Sequence, residues 1–416
     1  MRVTSALFLS VVSATSIPSN VHSRAEGIPL SEFGTFAAIT PEEAKSGADL
    51  LDTDFSTLER RATQGLPLSS FGTVHSVTLE EAQAGVDLIG TNFTLLPISG
   101  NPLKPLVTGL LDEISSILPR DTGDCANPNI RFEWDDYSAS DKQAYVDAIQ
   151  CLHNKPASGQ WSPSQNRWED IVRIHQSYAP NIHSKSTTQQ THKFLLWHRY
   201  YVWAFEQILR DECGFNRAMP WWDEKKWAGK FAQSTLFTDQ YFGIMSGPTN
   251  NAGTCVTTGK FAGWQLSLGP GYTVNNPHCL QRAVNEDITA QTGQSSYDTC
   301  MARTSYPDFH SCVEFSFHAQ GHNGVGATMA DAIASPGDPT FFMHHLYVDY
   351  VFRKWQINDI SRRTTISGCA DNVNCSPLTL DTMVYMGNLC GAKCPDLKVR
   401  DLLNTLQGHM CYRYNY

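Results

Sequence analysis

The chain has 416 residues, enough for one large domain with an appendage, and 11% of them are aromatic, which excludes a disordered protein. A formal charge of −10 argues against a nucleic-acid-binding surface. Twelve Cys point to an oxidising compartment and up to six disulfides.

At the N-terminus, Arg2 precedes an apolar run over 6–12, and small residues follow from Ser13 to Ser16. This pattern predicts a signal peptide over 1–16, and no later run reaches membrane length, so secretion to the extracellular space is expected. Residues 28–58 and 66–96 repeat each other at an offset of 38, pairing Phe33 with Phe71 and Asp49 with Asp87. Each copy offers an N-cap, Thr40 or Thr78, ahead of a Glu-Glu pair, which predicts one short helix per copy. Between the copies stands Arg60-Arg61, read either as a secretory processing site that makes 17–61 a propeptide or as a chance surface pair. The second copy and a proline-punctuated linker occupy 62–119, and the compact domain is expected over 120–416. Asn92 and Asn374 head glycosylation sequons.

Within that domain, Ser140-Asp141 opens a helix whose Tyr145, Ile149 and Leu152 face inward, and Trp168 to His175 begins a second. A third runs from His198 to Glu212, with Tyr201, Phe205, Ile208 and Leu209 as its stripe and Cys213-Gly214 as its stop. Met219 to Asp223 reads as a short aromatic strand or turn, while 225–315 reads as loop-rich and 360–395 as irregular. Asp338-Pro339 predicts a further helix start, with Val348, Val351, Phe352 and Trp355 as the apolar stripe beyond it. The whole reads as mainly α, with long disulfide-pinned loops and short strands.

Histidines gather in two places. His175, His183, His192 and His198 fall in one stretch, and His318, His322, His344 and His345 in the other. His318 and His322 are four apart and share a helix face. Ala319 follows His318 where a zinc protease would carry its general-base Glu, and the carboxylates of a di-iron bundle are missing at the expected spacing. Imidazole suits copper, so two all-histidine clusters point to two copper ions sharing dioxygen.

The segment FLLWHRYYVWAFEQILRDECGF (194–215), followed by PWWD (220–223), resembles the first copper motif of the tyrosinase/catechol oxidase family. HAQGHNGVG from His318 and SPGDPTFFMHHLYVDYVFRKWQ up to Gln356 resemble the second, and DLLNTLQGHMCYRY (401–414) resembles the end of the family's core, with Tyr412 and Tyr414 as its Tyr-x-Tyr pair. The likeness is to the short secreted fungal members, spans 125–415 and leaves the repeat outside. It implies a four-helix bundle holding a dicopper centre. The second copper would take His318, His322 and His345, with His344 a neighbour and Asp349 accepting from the far side of a ligand or capping an Arg. The first would take His175, His198 and either His183 or His192. Fifteen residues separate His183 from His198, more than the family's usual spacing, and six separate His192 from it, fewer. Loops take insertions more readily than contraction beside a fixed site, which favours His183. Asn181 and Gln190 stand where the family's thioether-forming Cys would be, so no Cys–His bridge is expected.

The resemblance further implies a secreted oxidoreductase that uses O2 to turn o-diphenols or o-aminophenols into o-quinones, in pigment or secondary-metabolite synthesis. Its partners would be a phenolic small molecule and O2, with no nucleic acid and no membrane. The alternatives are a true tyrosinase with monophenol monooxygenase activity and a haemocyanin-like O2 carrier. Ala319 stands where many monophenol-hydroxylating members have Asn, and Asn323 follows the next ligand instead. Ala332 holds the gate position, thirteen before His345, flanked by Met329 and Ile333, which implies an open, apolar access route. Glu314 is a candidate base or, alternatively, a buried ion-pair partner or surface residue.

Overall fold

The computed structural model describes residues 125, 127–247 and 253–415; the signal peptide, both repeat copies, Arg60-Arg61, the linker and Asn92 lie outside the described residues. Six α-helices position the site. Helix α1 (Ala139–Asn154) starts at Ser138, whose hydroxyl accepts the Asp141 N–H, and it buries the expected Tyr145, Ile149 and Leu152. Helix α2 (Arg167–Ile182) is capped the same way by Asn166. Helix α3 (Phe194–Cys213) ends at Gly214 in the left-handed region, at φ 65°, as its sequence signals. It begins a turn earlier than expected, because Phe194, Leu195, Leu196 and Trp197 are all buried and reward that turn.

Helix α4 (Tyr306–Val313) passes into a π-helical turn, Glu314–His318, and then into α5 (Ala319–Val325). Ser316, at φ −108° and ψ −110°, breaks the regular ladder there. Helix α6 (Thr340–Ile357) starts where Asp338-Pro339 predicts, the Asp338 carboxylate accepting the Thr340 N–H. One expectation is corrected: α6 has no single apolar stripe, since nearly every residue from Thr340 to Gln356 is buried. It is the central helix, packed against α3 and α5. Phe342 stacks on Phe205 with ring centroids 3.7 Å apart, and Trp168 meets both rings edge-on.

Strand β1 (Asn129–Glu133) lies between β2 (Pro220–Trp221) and β3 (Tyr412–Tyr414), parallel to both. The remaining strands are two-residue pieces in ribbons. All twelve cysteines are paired: Cys125–Cys411, Cys151–Cys213, Cys255–Cys279, Cys300–Cys312, Cys369–Cys375 and Cys390–Cys394. Among the described residues no helix is long and apolar enough to cross a membrane.

An ionic knot joins these parts. Asp349 of α6 accepts from Arg199 Nε of α3 at 2.6 Å, from Arg131 Nη1 of β1 at 3.2 Å, and from the Tyr412 and Tyr414 hydroxyls of β3. Arg131 also pairs with Glu206, and Arg199 Nη1 reaches Gln356 and the Leu402 and Leu403 carbonyls. Burial pushes the Asp349 carboxyl up, but Arg199 and Arg131 outweigh it and hold it below the usual range. Arg199 follows His198, and Asp349 lies one turn beyond His345, so this pair sets α3 against α6 beside both histidines.

Candidate metal centre

Among the described residues, two groups of imidazoles have ligand atoms within 4.8 Å of one another: His175, His183 and His198, and His318, His322, His344 and His345. In the first, His175 Nε2 lies 3.4 Å from His183 Nε2 and 3.3 Å from His198 Nε2. In the second, His322 Nε2 lies 3.2 Å from His345 Nε2, and His318 Nε2 is buried with no partner. The groups face each other, the His198 and His345 rings stacking at 4.2 Å. Phe194 and Phe341, each one turn before the last histidine of its helix, touch both groups: Phe194 against His198 and His318, Phe341 against His175 and His345.

The opposite ring nitrogens decide what these atoms can do. His175 Nδ1 bonds the Ile333 carbonyl at 2.8 Å, His198 Nδ1 the Phe194 carbonyl at 2.9 Å, His318 Nδ1 the Glu314 carbonyl at 3.0 Å and His322 Nδ1 the Met329 carbonyl at 2.7 Å. A carbonyl only accepts, so each Nδ1 carries the proton and each Nε2 turns a bare lone pair inward. Burial pushes all the clustered imidazoles down, His175 to about 4, so they are neutral at neutral pH. The bare lone pairs of His175 and His198 face each other at 3.3 Å and repel unless a cation lies between them, and the His183 and His345 Nε2 atoms converge on the same groups at 3.4 and 3.2 Å. A metal–imidazole bond of roughly 2.0–2.1 Å at a tetrahedral angle sets neighbouring donors about 3.3 Å apart. The donor set therefore fits one metal ion per group.

His192 does not join. Its Nδ1 accepts the Cys369 N–H at 2.8 Å, which puts the proton on Nε2, and its ring lies against His310 instead. That corrects its candidacy as a ligand: its Nδ1 is taken by a backbone N–H, and it lies outside the group that gathers His175, His183 and His198. His183 caps α2 in an extended conformation, and Asn372 Nδ2 clamps that end by donating to the Pro180 and His183 carbonyls, each at 2.8 Å. Pro180, inside α2, leaves the helix one donor short at this end.

His344 is the fourth histidine of the second group. Its Nδ1 meets the buried Glu224 carboxylate at 2.6 Å, just past the Trp-Trp-Asp turn, so it faces a carboxylate as well as its neighbours. A Cβ on Gly321 would lie 2.5 Å from the His344 ring and 2.9 Å from Glu224, so only glycine lets α5 approach this pair. Glu314 lies behind His183 with its carboxylate 3.8 Å from His183 Nδ1, and it accepts the Ser184 N–H and hydroxyl at 2.8 and 2.7 Å. Burial raises it to about 7 against those two bonds. Asp349 pairs with arginines and touches no ligand ring, the second of its two expected roles.

The access residues separate. Ala332 is exposed, Ala319 is half-buried, and Asn323 is exposed to solvent. Met329 is fully buried, which corrects its reading as a residue bordering the opening; it acts through its carbonyl. Asn374 is exposed in the Cys369–Cys375 loop. Phe194, Phe341, Glu224, Ser184 and Asn372 were not singled out from the sequence. An aromatic residue one turn before His198 and before His345 was the available signal for the first two.

Residues 165–358 match the common central domain of tyrosinase. Oxidase hkm6 of Aspergillus hancockii is 30% identical over 293 residues, 59% of this chain and 99% of that protein. Tyrosinase P of Aspergillus terreus is 29% identical over 341 residues, 70% of this chain and 93% of that protein. A polyphenol oxidase from Thermothelomyces thermophila shares the fold at a TM-score of 0.65 and 24% identity, over 75% of this chain and 95% of that one. With its helical architecture and paired imidazole clusters, the chain belongs to the tyrosinase family, a class of copper oxidoreductases with a dicopper centre.

Proposed function

We propose that the protein is a secreted dicopper oxidase that converts o-diphenols to o-quinones, or o-aminophenols to o-quinone imines, in pigment or secondary-metabolite synthesis. The observation that carries this reading is the convergence of imidazole nitrogens in two facing groups, with His175, His183 and His198 holding one copper and His318, His322 and His345 the other. The copper pair, when bound, supplies the binding and reduction of O2, so that two o-diphenols and one O2 give two o-quinones and two waters.

The chain's own residues orient the imidazoles, exclude water and shape the approach. Phe194 and Phe341 wall the centre with apolar surface. The small, exposed Ala332 leaves the rim open to a substituted ring. Ala319 offers no side-chain acceptor for a phenol proton, and both Glu314 oxygens are engaged by Ser184. An o-diphenol, whose hydroxyls are the more acidic and which needs no ring hydroxylation, therefore suits this site better than a monophenol. Secretion is supported by the N-terminal pattern and the full pairing of cysteines, and cleavage near Arg61 by the dibasic pair between the repeat copies.

The test is a copper determination followed by a panel of monophenols, catechols and aminophenols. Two copper ions per chain and a lag-free rise of product from catechols or aminophenols, with none from monophenols, are expected. Turnover of a monophenol would establish the tyrosinase alternative, and reversible O2 uptake without product from any phenol would establish a carrier. N-terminal sequencing of the secreted protein is expected to start near residue 62; a start well before Arg61 would refute processing there.

A further inference from the structure

In each cluster one imidazole is held by a carbonyl of its own helical segment: His198 by Phe194 and His318 by Glu314. A second is held from outside: His322 by the Met329 carbonyl and His175 by the Ile333 carbonyl. Both outside carbonyls belong to one short strap, residues 329–333. The strap is shaped by a single carboxylate. Asp331 Oδ1 accepts the Ile333 N–H at 2.9 Å, and Oδ2 accepts the Gly271 N–H at 2.6 Å. The Gly271 carbonyl in turn accepts Gln176 Nε2 at 2.8 Å, and Gln176 is the neighbour of His175 on α2. The Ser335 N–H closes the far side on the Asp331 carbonyl at 2.9 Å.

We propose that Asp331 is a positioning residue for both metal subsites at once, acting through the carbonyls of the strap that it pins; this rests on the dicopper reading. Without the carboxylate, the Ile333 amide loses its anchor and the strap detaches from the 269–273 loop. The Met329 and Ile333 carbonyls then no longer fix the His322 and His175 rings, one in each cluster. Both subsites weaken together, although Asp331 touches neither group of donors. The exposed Ala332 stands between the two anchoring points, so the rim of the site and the orientation of both metals share one piece of backbone.

The test is copper(I) binding by the full-length protein against a chromogenic copper(I) chelator, comparing wild type with Asp331→Asn, which keeps the shape and forfeits one acceptor. Wild type is expected to hold two ions, and the variant to lose affinity for both by about 10–100-fold. The metal-free variant should melt close to wild type, which separates lost positioning from lost folding. A shift confined to one ion, or none, overturns the inference, whereas a wild-type chain that binds no copper refutes the dicopper reading beneath it. Hydrogen exchange of the wild type gives an arm independent of the variant's folding. Copper should slow exchange across 329–335 as it does in α2 and α5, and a strap indifferent to copper overturns the proposal.

Discussion

His183 and His192 carry the same side chain on the same stretch of chain, but hydrogen bonding separates them. His192 takes a backbone N–H on Nδ1, so its proton sits on Nε2; His183 turns Nε2 toward His175. His183→Ala should therefore reduce bound copper from two ions to about one and abolish oxidase activity, while His192→Ala should keep both ions and cost about 1–3 kcal/mol of stability for its buried ring. Copper analysis alongside thermal melts checks both. Spacing already favoured His183, the residue grouped with His175 and His198, but the reason His192 stands apart was not legible, because a tautomer is set by which backbone group arrives from Cys369, far along the chain. Glu133 gives a second residue-scale expectation. Burial, then Asp135, raises its carboxyl from 4.5 to about 7, so between those values the native state binds more protons than the unfolded chain. Its contribution to stability is present at low pH and lost as pH rises through that window. Glu133→Gln removes the titration, and apart from a constant offset it should gain about 1–3 kcal/mol on wild type between pH 5 and pH 8. A difference in melting temperature that stays flat with pH would contradict this.

At the scale of elements, helix ends were readable where chemistry punctuates them: Gly214 as a stop and Asp338-Pro339 as a start. The π-helical turn before His318 was not readable, because no residue there forbids a regular helix and the break answers to packing. The two-residue strands lack enough length to show a period. The close approach of α5 to His344 and Glu224 was hidden for the same reason, yet it has a sharp consequence. Gly321→Ala inserts a methyl into an occupied space, which should destabilise the protein by about 1–3 kcal/mol and weaken one of the two copper ions through displaced neighbours of His322. Denaturant unfolding and copper titration of the variant test this; a variant as stable as wild type would mean that α5 can move away at little cost.

Across the whole molecule, the Asp349 knot ties β1, α3, α6 and β3 into one frame. Asp349→Asn leaves Arg131 and Arg199 buried without their shared counter-charge, a loss of about 3–5 kcal/mol that should appear as a lower denaturation midpoint. An unchanged midpoint would show that Glu206 and the tyrosine hydroxyls suffice. The mainly α architecture and the two motif regions could be read from local patterns over 165–358. The joining of Cys125 to Cys411 could not, since twelve cysteines admit many pairings and only the assembled sheet brings these two together.

The small loop closed by Cys369–Cys375 holds Asn372, which clamps the carbonyl of His183, and it presents Asn374 to solvent two residues later. Its consequence lies in the order of biogenesis. A newly made, reduced chain has no closed loop to pin Asn372, so the end of α2 that carries His183 is finished only after oxidation. On the dicopper reading, the first subsite would be expected to take its metal only after disulfide formation, and a sugar chain added at Asn374 would mark the outside of the loop whose closure makes that subsite ready.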